Sequence, residues 1–434
     1  MNHSLAEQIL DLAQKSAVEA AEVYCATAQS QPVVFEANRL KQLESSTSEG
    51  MALRVWVEGR PGLAVAYGAV EPEILVAKAK AIAQLNSPEE IELYDGPCFE
   101  GEDPGHWFET SQLIPWGGEA IAQILDRYPD VLCGLTLECD RETTVLLNSR
   151  GFRGSYRSTG LSASLGVEWV RGEDFLGIYD DLDSQGATLP DCQTLLDRIF
   201  AHLTWAQDHA PAPLGSMPVL FTPKAATLLW EVLEEAMSGK ACLEGASPWS
   251  QRRGDRLLAP NLTLRQDPQA GDDYCPMDDE GMATQALTLI NQGIFERMYC
   301  DRRVGRQLSQ ASTGNGFRGS LGRYPSPGLV NLIITPGSHS VGELVGMIPN
   351  GLVVDQILGG GGDLSGDFAI NVDLGYRIDH GELIGRVKDT MIAGNIYNAL
   401  NRPVVLGSDL RWVGNYLTPS VLVEGLSIVS DDGD

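Results

Sequence analysis

Residues that could hold a transition metal are scarce in this sequence. The 434 residues include six histidines, and no two of them have the spacing that commonly places two imidazoles on one zinc ion; they are His3, His106, His202, His209, His339 and His380. A zinc site needs about three protein ligands, usually imidazole or thiolate. His202 and His209 lie near the end of a predicted helix, two turns apart on one face, where such a pair is more often part of the surface or core. We therefore expect no metal and no other cofactor.

Cysteines are also few. All eight precede residue 301, and no two form a Cys-x-x-Cys pair. Cys133 and Cys139 are the closest pair, but alternation along a predicted strand puts both on one face, so ordinary burial explains them. Scattered cysteines fit a reducing compartment. The sequence has no apolar run of about 18 residues and its first residues do not resemble a signal peptide, so we expect a cytoplasmic protein with no membrane partner.

Positive charge is in short supply. The chain carries 31 lysines and arginines against 59 acidic residues, a formal net charge of −28. A surface built to neutralise phosphates needs the opposite balance. We therefore expect no direct binding to nucleic acid.

The length predicts two or three domains with ample core. The first half mixes helices, expected at residues 4–19 and 191–209, with a hairpin at 51–67 and an antiparallel meander over 131–179. The short proline-rich segment 210–215 is the best boundary. We predict an α+β domain at residues 1–210 and a second, glycine-rich and strand-rich domain at 216–434.

One helix stands out at the start of the second half. Thr222 and Pro223 form a typical helix start, a hydroxyl residue at the N-cap followed by a proline in the first turn. Apolar residues then recur at helical spacing, and Gly239 is expected to end the helix. The stretch between reads Leu-Leu-Trp-Glu-Val-Leu-Glu-Glu-Ala-Met from residue 228 onward.

Several glycine-rich or acidic motifs follow, and each is weak alone. The acidic turn 278–281 could bind a hard cation, although a plain turn before a strand is the simpler interpretation. The 314–319 stretch matches a dinucleotide fingerprint but lacks the surrounding βαβ unit. The glycine run 359–362 is expected to be a flexible loop. Ser312, Thr313 and Ser365 have no nearby histidine, so a serine hydrolase is not indicated.

Taken together and in order, these segments resemble the TldD/PmbA family, and in particular its TldE/PmbA branch. The resemblance is carried by the 222–239 helix, the motifs 278–281, 312–318, 359–368, 392–395 and 418–420, and the glycine-bounded segment 50–62. In TldD-type members the helix carries a His-Glu-x-x-x-His zinc motif, and a cysteine ligand lies near the C-terminus. Aligned without a gap, Trp230 and Glu235 replace the two histidines, while Glu231 keeps the place of the catalytic glutamate. The resemblance implies that these three positions are vestigial. The simplest structural interpretation of Glu231, Glu234 and Glu235 is a solvated helix face.

The resemblance implies a fold and a role. The fold would be α+β, with an N-terminal helix and sheet domain and a C-terminal domain dominated by a curved antiparallel sheet. The chain would be a non-catalytic, zinc-less subunit that pairs with a TldD-like zinc metallopeptidase acting on unfolded peptides, and alone it could form a homodimer. The candidate residues for a peptide cleft are Ser312, Thr313, Gly314, Asn315, Gly360, Gly361 and Ser365.

Two other functions stay open on the sequence. The chain could be an independent hydrolase with a carboxylate-only metal site at Glu231, Glu235 and Asp278 or Asp279, which would favour magnesium, calcium or manganese. It could also be a stand-alone protein that binds peptides or regulates gyrase.

Overall fold

A computed structural model describes residues 3–69, 71–271 and 274–430. Within these ranges the helices are α1 (His3–Lys15), α2 (Pro72–Ala83), α3 (Thr110–Arg127), α4 (Gln193–Trp205), α5 (Pro223–Met237), α6 (Gly239–Leu243), α7 (Arg302–Gln307), α8 (Val341–Gly346) and α9 (Ile396–Asn401). Helix α4 is shorter than the helix predicted for residues 191–209. None of the helices in the described ranges combines the length and the apolar character that crossing a membrane would require.

The first half is built on one long, mostly antiparallel sheet of eight strands. They are β1 (Ala20–Glu36), β2 (Arg39–Leu43), β3 (Ser46–Val57), β4 (Arg60–Tyr67), β5 (Phe99–Glu100), β6 (Leu132–Asn148), β7 (Arg153–Arg171) and β8 (Asp174–Ser184). Their order is β4-β3-β1-β6-β7-β5, with β2 beside β1 and β8 beside β7. The β3–β4 hairpin and the β6–β7–β8 meander confirm the sequence prediction.

Alternation along β1 and β6 places their apolar residues on one face. Helices α1 and α2 cover one end of that face in a core that includes Val23 and Leu147. Helices α3 and α4 cover the other end, over Phe35 and Leu135. Cys133 and Cys139 lie buried on this face of β6, as expected. The sheet thus has its helices on one side.

In its described residues, the second half contains two larger sheets and a short two-stranded one. Its strands are β9 (Gly215–Phe221), β10 (Leu264–Gln266), β11 (Leu287–Asn291), β12 (Ile294–Phe295), β13 (Gly316–Phe317), β14 (Ser326–Pro327), β15 (Leu332–Ile334), β16 (Asn350–Gly362), β17 (Asp367–Asp379), β18 (Glu382–Arg386), β19 (Thr390–Asn395), β20 (Val405–Leu406), β21 (Arg411–Val413), β22 (Tyr416–Thr418) and β23 (Val421–Ser430).

One larger sheet has the order β12-β11-β10-β15-β22-β21, and the other has the order β16-β9-β23-β19-β17-β18 with β20 beside β23. Most pairings are antiparallel, while β9–β16 and β15–β22 are parallel. Helix α5 shares one core with residues of both sheets, for example Leu264 of the first and Ile370 of the second. The predicted α+β class, with extensive antiparallel sheet, is confirmed.

The two halves share a core. Leu220, Val353 and Tyr376 of the second half pack in the same cluster as Leu195 and Ile199 of helix α4. Burial of these side chains joins the segments that the sequence analysis assigned to separate domains. The division at residues 210–215 remains a prediction.

Candidate functional site

Helix α5 begins as predicted but ends differently. Thr222 is the extended N-cap residue and Pro223 is the first helical residue. The Thr222 hydroxyl does not cap the helix; it donates to Asp355 Oδ1 at 2.8 Å. Ser238, with φ −62° and ψ 125°, ends the helix, and Gly239 opens the short helix α6. Gly239 is needed there for space, since a Cβ would lie 2.8 Å from the carbonyl oxygen of Tyr299.

Trp230 is a core residue of this helix. Its side chain is fully buried, and its Nε1 donates a hydrogen bond of 2.7 Å to Thr418 Oγ1 on β22. An indole has no lone pair available for a metal, because its nitrogen is only a donor. Trp230 therefore joins α5 to the six-stranded sheet.

The three glutamates of α5 do not form one solvated face. Glu231 and Glu235 are exposed, but Glu234 is half-buried, and its Oε2 accepts a 2.7 Å hydrogen bond from the Tyr416 hydroxyl. Burial raises the pKa of Glu234 and also that of Glu231. Glu231 is the less buried of the two. The expectation of a solvated face holds for two of the three side chains.

The structure does not assemble the carboxylate metal site. Among the described residues, no group of three or more histidine, cysteine or acidic side chains is placed to hold a metal ion. Asp278 is fully buried and accepts backbone N–H groups from Glu280, Met282 and Gly316 at 2.8–3.0 Å. Asp279 Oδ2 accepts a hydrogen bond of 2.7 Å from the backbone N–H of Arg318. These hydrogen bonds organise the 278–281 turn.

Burial dominates the electrostatics of this acidic turn. It raises the pKa of Asp278 to about 7. Burial, reinforced by the neighbouring Asp278 charge, raises the pKa of Glu280 well above its usual value. Glu280 Oε2 nevertheless accepts a hydrogen bond of 2.8 Å from the backbone N–H of Arg302. The pair carries less negative charge near neutral pH than its sequence suggests.

The candidate cleft residues 312–315 form a hydrogen-bond network. Thr313 Oγ1 contacts the Cys300 backbone and donates to Asn315 Oδ1 at 2.7 Å. Asn315 is fully buried, and its Nδ2 donates to Gln266 Oε1 at 2.6 Å and to the Gly328 carbonyl at 2.7 Å. Ser312 Oγ accepts the Gly314 N–H at 3.1 Å. Of these four residues, Ser312 and Thr313 keep partial exposure.

The glycine run was wrongly predicted to be a flexible loop. Gly359 to Gly362 form the end of β16 and pair with β17, with Gly361 opposite Ala369. Gly360 has φ +100°, and a Cβ there would lie 2.1 Å from the Ala369 carbonyl, so only glycine fits. At Gly361 a Cβ would meet nothing within 4 Å. Ladder hydrogen bonds therefore hold a run that has no side chains to anchor it.

The turn after this strand is also ordered. Ser365 Oγ donates to Asp363 Oδ1 at 2.5 Å, and the Ser365 carbonyl accepts from Asn395 Nδ2 at 3.0 Å. Gly362 packs against Val232 of α5, and Cys300, which holds the Ser312–Thr313 segment, packs against Gly239. Neighbours of both groups of cleft candidates, Gly362 and Cys300, thus contact the α5–α6 segment at different points along it.

The two histidines of the predicted pair lie in different surroundings. His202 is buried on α4, with Nδ1 2.9 Å from the Tyr376 hydroxyl and Nε2 3.4 Å from Asp355 Oδ1. Burial lowers the pKa of His202. His209 lies beyond the end of α4, with Nε2 3.2 Å from Asp174 Oδ2. The prediction that they share one helix face was wrong.

Residues 214–430 match the family described as PmbA/TldA metallopeptidase C-terminal domain, and residues 21–83 match PmbA/TldA metallopeptidase domain 1. The chain belongs to the PmbA/TldD family. The first match includes the whole of α5 and both larger sheets of the second half. The family resemblance inferred from the sequence motifs is therefore confirmed.

Relatives and solved structures agree with this membership. A metalloprotease of Methanothermobacter thermautotrophicus is 27% identical over 205 residues, which are 46% of this chain and 45% of the relative. Metalloprotease PmbA of Escherichia coli O157:H7 is 26% identical over 224 residues, 50% of this chain and 47% of the relative. The matched stretch thus spans about half the length of these curated relatives.

The fold similarity covers nearly the whole chain. The crystal structure of TldE from Thermococcus kodakarensis superposes with a TM-score of 0.86 at 23% identity, covering 98% of this chain and 99% of that one. A crystal structure described as a putative modulator of a DNA gyrase from Thermotoga maritima gives a TM-score of 0.82 at 20% identity, with 98% and 99% coverage. These structures share the fold of the PmbA/TldD family member described here.

Proposed function

We propose that this chain is a zinc-less subunit, of the TldE/PmbA type, that pairs with a TldD-like zinc metallopeptidase to degrade or process unfolded peptides. Trp230 carries the proposal. A buried indole, hydrogen-bonded to Thr418, occupies the position that the resemblance assigns to a zinc ligand. Replacing this tryptophan by the smaller histidine would leave part of the core unfilled. Exposed Glu235, in the place of the second ligand, has no companion ligands among the described residues.

The peptide path is proposed to run along the exposed end of β16. Gly361 is exposed, and no atom beyond its two chain neighbours lies within 4 Å of the position that its Cβ would take, so its backbone is open at the surface. The next residue, Gly362, packs against Val232 of α5. An extended peptide can be held through main-chain contacts whatever its sequence, which suits a protein that must accept many substrates. Ser312, Thr313 and Ser365 remain the polar candidates beside this path.

The same sheet supplies a surface for the partner. Met391 of β19 lies opposite Asn371 of β17 and opposite Val429 of β23, so the three share one face. Met391 is 44% exposed and Val429 is 54% exposed. Met391 and Val429 are thus two exposed apolar side chains side by side on this face, and adjacent exposed apolar side chains favour contact with another protein. We propose that the TldD-like subunit covers this pair.

Reconstitution with the TldD-like protein of the same host tests the role. Co-purified complex should cleave unfolded peptides, and Glu231→Gln in this chain should leave the rate unchanged. Glutamine in place of the glutamate of the partner's His-Glu-x-x-x-His motif should abolish cleavage. If Glu231→Gln abolishes cleavage by the pure chain, this chain is a hydrolase in its own right and the proposal fails.

Two surface variants separate partner binding from the peptide path. Met391→Glu should prevent co-purification, whereas Val170→Glu, at a residue 60% exposed on β7 of the first half, is the matched control. Gly361→Trp should preserve co-purification and the melting temperature but reduce peptide cleavage. Full cleavage with Gly361→Trp would place the peptide path elsewhere. Efficient peptide binding by the chain without any partner would favour the stand-alone role.

A further inference from the structure

A pocket of about 380 Å³ lies where helix α4 of the first half meets the second half of the chain. It is separate from the glycine run 359–362 and from the acidic turn, and the part of β16 that lines it is Val353 and Asp355. Its apolar wall is formed by Ala201, Trp205, Val341, Val345, Leu383 and Leu410. Pockets of this size that combine an apolar wall with a few polar groups commonly bind small molecules, and they are frequent where two packing units meet.

The charged part of the wall is arranged in two layers. Asp180 and Asp355 form the inner layer and are 0% and 1% exposed. Lys224 lies with them, its Nζ 2.6 Å from Asp355 Oδ2. Arg198 and Arg411 form the outer layer, with side chains 25% and 17% exposed. Their guanidinium groups both contact Asp180 Oδ1, at 2.9 and 2.6 Å.

The two arginines are therefore more exposed than the two inner carboxylates. A guanidinium group has five N–H donors. The described hydrogen bonds occupy Nε and Nη2 of Arg198 and Nη1 of Arg411, so each group keeps donors beyond these bonds. The third acid of the wall, Asp409, already accepts the N–H and hydroxyl of Ser420 at 3.0 and 2.6 Å.

The inner acids are held as anions. Burial alone would raise the pKa of Asp180, but the charges of Arg411, Lys224 and Arg198 outweigh it and lower that pKa. A buried ionised carboxylate keeps both arginines in place and pre-organised. The arginine pair is thus a fixed feature of the wall, held from behind.

We propose that this pocket binds a small carboxylate with an apolar body, whose oxygens are bound by Arg198 and Arg411 while the apolar part packs against Ala201 and Trp205. Guanidinium groups bind carboxylates in a planar, two-point geometry that few other side chains offer. Two sources share this chemistry, the C-terminal residue of a peptide and a free aliphatic acid. The inference stands independently of the role as a peptidase subunit.

Calorimetric titration of the full chain with four probes tests the ligand class. The probes are N-acetyl-leucine, its neutral amide, octanoate and isoamylamine. N-acetyl-leucine or octanoate should bind at least about tenfold more tightly than the amide and the amine, because these lack the charge that the arginines bind. Preference for N-acetyl-leucine would indicate a peptide C-terminus, and preference for octanoate a free aliphatic acid.

Variants locate the binding. Arg411→Gln should weaken binding of the acid about tenfold or more. Ala201→Leu fills the apolar wall without touching the charges, and it should weaken binding to a similar degree while the melting temperature stays near that of the wild type. Ala311→Leu, at an exposed alanine outside the pocket, is the matched control.

Three results would overturn the proposal. They are equal binding of the acid and its amide, unchanged affinity in Ala201→Leu, and no heat of binding from either acid at millimolar concentration. Because Ala201→Leu leaves the ionic cluster intact, a folding defect of Arg411→Gln does not remove the test.

Discussion

Replacing Trp230 should cost folding stability rather than a catalytic function. The side chain is fully buried and its indole N–H donates to Thr418 Oγ1. Burying a tryptophan removes about 150–250 Å² from water. At about 25 cal/mol per Å² this area corresponds to about 4–6 kcal/mol, and measured tryptophan-to-alanine changes in cores cost about 3–5 kcal/mol. We expect Trp230→Ala to lower the free energy of unfolding by about 4 kcal/mol.

Trp230→Phe separates packing from the hydrogen bond. It keeps most of the apolar area but leaves the Thr418 hydroxyl without its donor, which costs about 1 kcal/mol, and it opens a small cavity. We expect a total loss of about 2 kcal/mol. Urea unfolding followed by circular dichroism measures both values. Tyr67→Ala, at a residue 69% exposed, is the control and should cost less than about 0.5 kcal/mol. If Trp230→Ala is as mild as Tyr67→Ala, Trp230 is not the core residue described above.

Three further predictions concern buried charge and the glycine strand. Lys224→Met should lower the free energy of unfolding by about 3–5 kcal/mol, because it leaves Asp355 as a buried anion without its closest cation; urea unfolding measures the loss, and a change below about 1 kcal/mol would show that Asp355 does not depend on Lys224. Glu280→Gln should reduce the fall in melting temperature as the pH rises above the pKa of an unfolded glutamate, about 4.3. Burial raises the pKa of Glu280 above that of the unfolded chain, so folded Glu280 holds a proton that the unfolded chain releases, and its contribution to stability falls as pH rises; an unchanged pH profile would contradict this. Gly360→Ala should lower the melting temperature much more than Gly361→Ala, because only Gly360 combines a φ of +100° with a carbonyl 2.1 Å from the added Cβ; equal melting temperatures would refute the strand pairing.

Local patterns in the sequence were sufficient for the start of α5 and for the hairpin and meander of the first half. Thr222-Pro223 followed by an apolar stripe is a local signal, and so is alternation along β6 and β7. The glycine run 359–362 has no side chains and hence no periodicity, so nothing local distinguishes a strand from a loop. Its pairing with β17 decides the outcome.

The site was only partly predictable for a similar reason. The identity of Trp230 shows that it cannot bind zinc, but its partner Thr418 is 188 residues away in the sequence. Thr222 donates to Asp355, 133 residues away, instead of capping its own helix. Glu234 and Tyr416 are 182 residues apart. Single-sequence patterns report neighbours within a few turns or strands, so these long-range partners could be identified only in the fold.

Zinc content tests the central claim most directly. The chain, purified without chelator and then incubated with equimolar zinc and passed through a sizing column, should retain far less than one zinc per chain by elemental analysis, because Trp230 and Glu235 stand where imidazole ligands would be needed. Retention of about one zinc per chain, lost on substitution of Glu231 or Glu235, would contradict the account.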